Sequence, residues 1–317
     1  MPSPALKPAI FLMGPTAAGK TALALALRER FPVEVISVDS SQVYRGMDVG
    51  TAKPTAEERI RAPHRLIDIR DPAEPYSAAE FCTDALREMA KITQAGRIPL
   101  LVGGTMFYFY ALEYGITPLP AANPEVRARL SAQSARVGWA ALHRRLETAD
   151  PAAAARIHPH DAQRIQRALE IVELTGRAPS DCYGRSTALP ICYEPVKISI
   201  YPQDRAALHR RIARRFHTML DRGLVAEVGR LRQRGDLTLE LPSMRTVGYR
   251  QVWQYLMGSV SYNEMVQQGV AATRQLAKRQ LTWLRRYPDV QYLGSGGKDP
   301  KAACVGYVAS RLNRNGL

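Results

Sequence analysis

Short apolar runs alternate with amphipathic stretches through the first third of the chain. Residues 9–13 read Ala-Ile-Phe-Leu-Met. Residues 33–38 form a second run, bounded by Pro32 and ended by Asp39, and residues 98–102 a third that leads into Gly103-Gly104-Thr105. Runs this short, set between glycine, proline and charged positions, predict buried strands, and helical stretches between them predict βαβ units with a parallel sheet. Residues 20–30 have helical spacing, and residues 66–69 predict a shorter strand closed by Pro72 and Pro75. Ser77-Ala-Ala-Glu80 has the spacing of a capping box and opens a helix that Gly96 ends. The pattern then changes. Over residues 123–180 the apolar positions step by three and four (Val126/Leu130; Ile165/Leu169/Val172) with no convincing strand, which predicts an α-helical insertion. Residues 196–200 predict one strand returning to the sheet. Leu208, Ile212, Phe216, Met219 and Leu220 mark the core-facing stripe of a long helix, and Gly294-Ser-Gly-Gly297 predicts a flexible joint before a short tail.

The first turn after the first strand carries chemistry. Gly14-Pro15-Thr16-Ala17-Ala18-Gly19-Lys20-Thr21 matches G-x-x-x-x-G-K-[ST] in full. Glycines let the backbone wrap a phosphate, successive N–H groups point at its oxygens, and the helix that starts near Lys20 adds its positive end. Lys20 supplies a full charge and the Thr21 hydroxyl is placed to ligate Mg²⁺. A chance match in a glycine-rich turn is the plain alternative, and the strand-type run before it and the helical run after it weigh against that. The expected architecture is therefore α/β. A P-loop NTPase-like parallel sheet flanked by helices is built from residues 1–114 and 196–317, with a helical insertion over residues 115–195. Such a loop reports a diphosphate or triphosphate without saying what else the ligand carries. Asp39 is expected at the carboxyl end of the second strand, the edge where open α/β sheets bind ligands. There it is a general base, a Mg²⁺ ligand through water, or only a turn cap. Gly103-Gly104-Thr105 leaves the third run at the same edge, for close approach to a ligand or as a tight structural turn.

Composition places the chain among globular proteins, with 46% hydrophobic and 23% charged residues. The four cysteines (Cys82, Cys182, Cys192, Cys304) are scattered, which suggests neither a disulfide framework nor a zinc cluster. The apolar run near the start is too short for a signal or membrane segment, so a cytoplasmic location without membrane association is expected, with a monomer as the default. Lys+Arg exceed Asp+Glu by 44 − 29 = +15. Counted along the sequence, residues 1–114 hold 13 bases and 13 acids, residues 115–195 hold 10 and 8, and residues 196–317 hold 21 and 8. A solvated helix face of mixed sign does not explain the last figure; a contact surface for a phosphate backbone does.

The bases of the last third fall into groups. Arg210, Arg211, Arg214 and Arg215 make two i,i+4 pairs, one of which can face the sheet edge and hold a diphosphate; ordinary surface arginines are the plainer reading for any single one. Residues 245–250 and 278–286 interleave bases with Tyr249 and Trp283, a mixture suited to RNA, where charge tracks the backbone and aromatics stack on unpaired bases. For Trp283, buried core is the plainer reading. Residues 163–167 set polar groups opposite the Ile165/Leu169/Val172 stripe, which a solvated helix face explains as well.

Together, Gly14 to Thr21, Ser37 to Asp48 with Gly50 to Pro54, Val102 to Thr105, Arg245 to Arg250 and Lys278 to Arg285 resemble the bacterial tRNA dimethylallyltransferases, also called tRNA isopentenyltransferases, in order from about residue 9 to about residue 287. The stretch from Asp39 to Pro54 is the distinctive part. Ala18 stands where Ser or Val is common, at a position that contributes mainly backbone. Eukaryotic relatives carry a C-terminal zinc finger for which this chain lacks the cysteines, so it looks like the bacterial form.

The resemblance implies transfer of a dimethylallyl group from dimethylallyl diphosphate to N6 of the adenosine 3′ of the anticodon in tRNA, with Mg²⁺ as cofactor. It implies that Asp39 accepts the amine proton, that Thr105 belongs to the catalytic group and helps hold the diphosphate, and that Gly14, Pro15, Thr16, Ala17, Ala18, Gly19, Lys20, Thr21 and Arg215 hold the diphosphate. The adenine would be flipped out of the anticodon loop into the site. Contacts to tRNA would come from Asp39, Ser40, Ser41, Gln42, Thr105, Arg127, Gln163, Arg164, Ile165, Gln166 and Arg167. They would continue with Arg245, Thr246, Val247, Gly248, Tyr249 and Arg250, and with Lys278, Arg279, Gln280, Leu281, Thr282, Trp283, Leu284 and Arg285. Two rivals share the loop. A nucleotide or small-molecule kinase leaves the basic last third without a purpose, and an RNA-binding protein would use the loop as a nucleotide switch.

Overall fold

The structure is a computed structural model that describes residues 6–182, 191–294 and 299–314. The chain forms two compact units, Met1–Glu113 with Ile191–Leu317, and Tyr114–Pro190. In chain order the elements are β1 (Lys7–Met13), α1 (Lys20–Arg30), β2 (Val33–Val38), α2 (Ala56–Arg61), β3 (His64–Arg65), α3 (Ala78–Gln94), β4 (Ile98–Gly103) and α4 (Met106–Tyr114). Then come α5 (Pro124–Val137), α6 (Trp139–Ala149), α7 (Pro151–Ala154), α8 (Ala162–Thr175) and α9 (Pro179–Cys182). The chain continues through β5 (Tyr193–Tyr201), α10 (Arg205–Asp221), α11 (Leu224–Gln233), α12 (Tyr249–Leu256), α13 (Tyr262–Leu284), β6 (Gln291–Gly294) and α14 (Pro300–Arg314).

The first unit is built on a six-stranded sheet of order β3-β2-β4-β1-β5-β6, every pairing parallel. β1 lies inside it, with residues 9–13 fully buried because both faces of a parallel sheet are covered. Its alternating side chains feed two cores. Phe11 and Met13 pack with Phe81, Phe109, Ile212 and Phe216; Ile10 and Leu12 pack with Leu23 and Leu27 of α1 and with Cys304, Val308 and Leu312 of α14. α3 starts at the predicted capping box, in which Ser77 accepts from the Glu80 amide and Glu80 from the Ser77 amide, and it buries Phe81, Ala85, Met89 and Ile92. The stripe on α10 is also present, with Leu208, Ile212 and Phe216 buried.

The strands differ from expectation at the sheet edges. The strand expected over residues 66–69 is instead the two-residue β3, because Leu66 and Asp68 take left-handed φ values of 62° and 58° that break an extended chain. The expected tail holds β6, which pairs with β5, and α14; Gly294 closes β6, and residues 295–297 of the expected joint lie outside the described residues. β5 begins at Tyr193 rather than residue 196, since it pairs with β1 from Lys7 onward, so residues 193–195 belong to the sheet and not to the insertion.

The second unit holds helices and, among its described residues, no strand. Asn123 caps α5 by accepting from the Val126 amide, with Pro124 in the first turn. Its core joins Val126, Leu130, Leu142, Leu146, Ala154, Ile165, Ala168 and Leu169.

Candidate active site

A cavity of about 800 Å³ opens at the carboxyl edge of the sheet, entirely within the first unit. Its floor is the loop after β1. α1 begins at Lys20 with Gly19 as N-cap and no side chain on its first amides, so these donors face outward as a phosphate loop requires. Ala17 holds a left-handed φ of 60°, which curls the loop. Thr16, Ala17, Ala18, Gly19, Lys20 and Thr21 line the cavity. Gly14 and Pro15 are buried beneath it, and their carbonyls accept from Lys20 Nζ at 2.9 and 3.0 Å. These two residues hold the lysine from beneath the cavity.

Two cations and one carboxylate meet above the loop. Burial, and after it the Arg215 guanidinium nearby, push the Lys20 ammonium down to about 8 against the opposing pull of Asp39. Burial also lowers Arg215, again against the pull of Asp39. Such a group carries one net positive charge in a half-buried place and favours a bound anion. Asp39 lies directly after β2, as expected. Its Oδ1 accepts from the Ser41 amide (2.9 Å), the Ser41 hydroxyl (2.6 Å) and the Gln42 amide (3.4 Å), which fixes the plane of the carboxylate. Ser37 Oγ donates to Gln42 Oε1 at 3.0 Å, and Gln42 Nε2 donates to the Thr51 carbonyl at 3.4 Å. Thr105 Oγ1 accepts from the Ser40 amide at 3.1 Å, so it sits beside Asp39 on the same wall.

Gly104 is small for a structural reason. Gln280 of α13 donates from Nε2 to the Gly104 carbonyl and accepts through Oε1 from the Thr16 amide, both at 2.9 Å, and a Cβ on Gly104 would lie 2.4 Å from that Nε2. Gln280, expected to contact RNA, is largely buried in the cavity wall, where it clamps the phosphate loop to the end of β4. The Thr16 amide is thereby committed to protein.

A second clamp escaped the sequence reading. Glu227 of α11 is buried, and its carboxylate accepts from the amides of Asp48 (3.0 Å), Val49 (2.8 Å) and Gly50 (3.1 Å) and from the Tyr249 hydroxyl (2.5 Å). It joins two walls of the cavity, residues 50–55 and residues 245–248. Gly50 meets the Tyr249 ring where a side chain would stand, with 2.5 Å from a Cβ to the nearest ring carbon. Lys53, also buried, holds the same loop through the Tyr44 carbonyl, Asp48 and Asp68. The signal available for Glu227 was its isolation as an acid between Asp221 and Asp236 in a basic stretch.

The remaining expected RNA contacts divide by helix face. Arg245, Thr246, Val247 and Gly248 line the cavity and Arg250 is exposed, but Tyr249 is buried on Glu227. Lys278, Arg279, Thr282 and Arg285 are exposed and Leu281 half-buried, while Leu284 is buried in the core. Arg285 donates to the Tyr201 hydroxyl. Trp283 corrects the core reading, since it is 40% exposed. In the second unit Gln163 and Arg164 are exposed, Ile165 is buried, and Gln166 donates to the Arg127 carbonyl and Ser131 Oγ. Arg127 and Arg167 both pair with the buried Glu170. Burial alone would raise that carboxyl, and their hydrogen bonds hold it below its ordinary range. Burial thus takes Ile165, Tyr249 and Leu284 out of reach of any ligand, because a continuous helical run cannot present every side chain to one side.

Many exposed bases of the last third lack acids. Among the described residues, Arg214, Arg245, Arg250, Lys278, Arg279 and Arg286 form no ion pair, and the pairs made by residues 196–317 use Lys197, Arg210 and Arg234. No helix of the described residues is long and apolar enough to cross a membrane.

Comparison with known proteins agrees with this arrangement. The sequence model of the IPP transferase family matches residues 42–287. The tRNA isopentenylpyrophosphate transferase of Bacillus halodurans is 38% identical over 98% of each chain, with a TM-score of 0.72. The tRNA Δ2-isopentenylpyrophosphate transferase of Staphylococcus epidermidis is 31% identical over 97% of this chain and 99% of its own, with a TM-score of 0.69. A eukaryotic dimethylallyltransferase acting on tRNA is 26% identical over 91% of this chain and 74% of its own, with a TM-score of 0.75. A phosphate loop facing a strand-end carboxylate, in a chain similar along nearly its whole length to these transferases, places this protein in the IPP transferase family.

Proposed function

We propose that the protein transfers a dimethylallyl group from dimethylallyl diphosphate to N6 of the adenosine 3′ of the anticodon in tRNA. One observation carries this reading: Lys20, Arg215 and Asp39 form a single electrostatic group at the sheet edge, two half-buried cations for an anion and one carboxylate beside them. An exocyclic adenine amine is a poor nucleophile, because its lone pair is delocalised into the ring. In the proposed reaction it attacks C1 of the prenyl chain as the C1–O bond breaks. The electron pair leaves with the diphosphate, and Asp39 takes the amine proton. Loop amides, Lys20 and Arg215 stabilise the charge that gathers on the diphosphate. Thr105 and Ser40 orient the acceptor beside the carboxylate.

Mg²⁺ fits this donor set as an ion carried by the diphosphate. The described residues hold no cluster of three or more His, Cys, Asp or Glu for a metal. The chain's own share would be the exposed Thr21 hydroxyl in the first turn of α1. The bound ion would neutralise leaving-group charge. Exposed bases on α10, α12 and α13 without ion pairs among the described residues would supply a surface for the RNA.

The test offers the protein dimethylallyl diphosphate or ATP, each with and without tRNA. The reading predicts N6-dimethylallyladenosine and equimolar diphosphate only when prenyl donor and tRNA are both present. Phosphorylated product from ATP, with none from the prenyl donor, would establish a kinase instead.

A further inference from the structure

Gln280 is a polar residue on the core face of α13. The buried positions of that helix are Met265, Gly269, Val270, Ala277, Gln280 and Leu284, and only Gln280 among them carries a polar side chain. An amide placed there costs stability unless both its ends are bonded, and a Leu or Met of similar volume would pack without that demand. Packing alone therefore does not call for glutamine. Its two bonds do.

Those bonds link the two sides of the site. Oε1 accepts from the Thr16 amide in the phosphate loop, and Nε2 donates to the Gly104 carbonyl, both at 2.9 Å. From Gly104 the path continues through its neighbour Thr105. The Thr105 amide donates to the Val38 carbonyl at 3.2 Å, and Thr105 Oγ1 accepts from the Ser40 amide at 3.1 Å. Val38 and Ser40 flank Asp39 in the chain. One side chain thus spans the cradle for the anion and the wall that carries the carboxylate. Gly104 leaves room for it. A Cβ there would lie 2.4 Å from Nε2 and no closer than 3.5 Å to any other atom beyond the neighbouring residues, and its φ lies outside the left-handed region. The close amide is what keeps this position small.

Resting on the prenyl-transfer reading, we infer that Gln280 is a positioning residue of the transfer step, which fixes the bound diphosphate against Asp39, rather than a contact for RNA. Lys278, Arg279 and Thr282 occupy the exposed side of the same helix, and Gln280 turns the other way. Transfer needs C1 of the donor held between the leaving oxygen and the attacking amine. A displacement of about 1 Å between cradle and base costs about 100-fold in rate. RNA affinity does not depend on that distance, so the two effects separate.

The experiment measures single-turnover transfer from dimethylallyl diphosphate to saturating tRNA, the tRNA dissociation constant, and amide hydrogen exchange over residues 14–21. The variants are Gln280→Ala, Gln280→Met, Gly104→Ala, and Gly104→Ala with Gln280→Ala. Gly104→Ala displaces the amide while leaving Gln280 in the chain, and Gln280→Met keeps the volume without the bonds. Each single variant should slow transfer by about 10- to 100-fold and speed exchange of the Thr16 amide by about 5-fold, with the tRNA dissociation constant unchanged. The double variant should lose no more than the larger single loss, because both changes remove the same link. A rate that holds at saturating tRNA while the dissociation constant rises would make Gln280 an RNA contact and overturn the proposal. Losses that multiply in the double variant, or a wild-type rate in Gln280→Met, would overturn it while prenyl transfer stood. A wild type that transfers no prenyl group to tRNA would instead overturn the reading on which it rests.

Discussion

Lys20 is a residue of the site whose charge responds strongly to its surroundings. An ordinary lysine keeps its proton to about 10.5, and here burial and Arg215 bring that down to about 8. Between those values the unfolded chain binds more protons than the folded one. The cost of the charged ammonium to the ligand-free fold is therefore full below about 8 and fades as pH rises toward 10.5. A bound diphosphate favours the charged form, so its affinity is greatest below about 8 and falls as pH rises, while the stability of the ligand-free fold rises. The KM for dimethylallyl diphosphate should be level below pH 8 and rise by roughly tenfold per unit above it. Lys20→Arg should remove the rise, and a flat wild-type profile to pH 9.5 would show that Lys20 does not hold the donor. This residue and its loop were legible in the sequence because the motif combines a charge with a fixed backbone path. Arg215 was one of four similar arginines. Only the course of α10 turns it to the cavity while Arg211 and Arg214 remain in solvent.

At the scale of elements, Glu227 holds a loop without a cation, and Glu170 joins two helices with two. Glu227 accepts three consecutive amides of the 48–50 turn, a backbone arrangement that cradles an anion. Glu227→Ala leaves those donors and the Tyr249 hydroxyl buried without acceptors and should cost about 3 kcal/mol in denaturant unfolding. Glu227→Gln, which keeps one acceptor oxygen, should cost less and raise the KM for RNA more than it lowers kcat. In the insertion, Glu170 gathers the Asn123 amide, Arg127 and Arg167 between α5 and α8. Glu170→Ala should speed hydrogen exchange in α5 and α8 while β1 and β4 keep their protection. The interior strands and capped helices were readable from apolar runs and a capping box, which are local. β6 was not, because four residues with Tyr292 exposed carry no periodic signal apart from their pairing with β5. The clamps of Gln280 and Glu227 join positions 264 and about 178 residues apart, a separation that periodicity does not encode.

For the whole molecule, the charge of +15 resolves into two tasks. In the proposed reaction the diphosphate would be met by Lys20, Arg215 and loop amides in a half-buried place, and the exposed bases outside it would be left for a polyanion too large to enter. The long run of expected RNA contacts narrows to the exposed residues, as buried members of the same helices hold the walls in place. The account stands or falls on Asp39 as the proton acceptor between these two ligands. Its most direct test is single-turnover prenyl transfer to tRNA by the wild type and by Asp39→Ala, with tRNA dissociation constants measured for both. The transfer rate should fall by about 10²- to 10⁴-fold while the dissociation constant stays the same. An unchanged rate, or a loss of binding that matches the loss of rate, would contradict it.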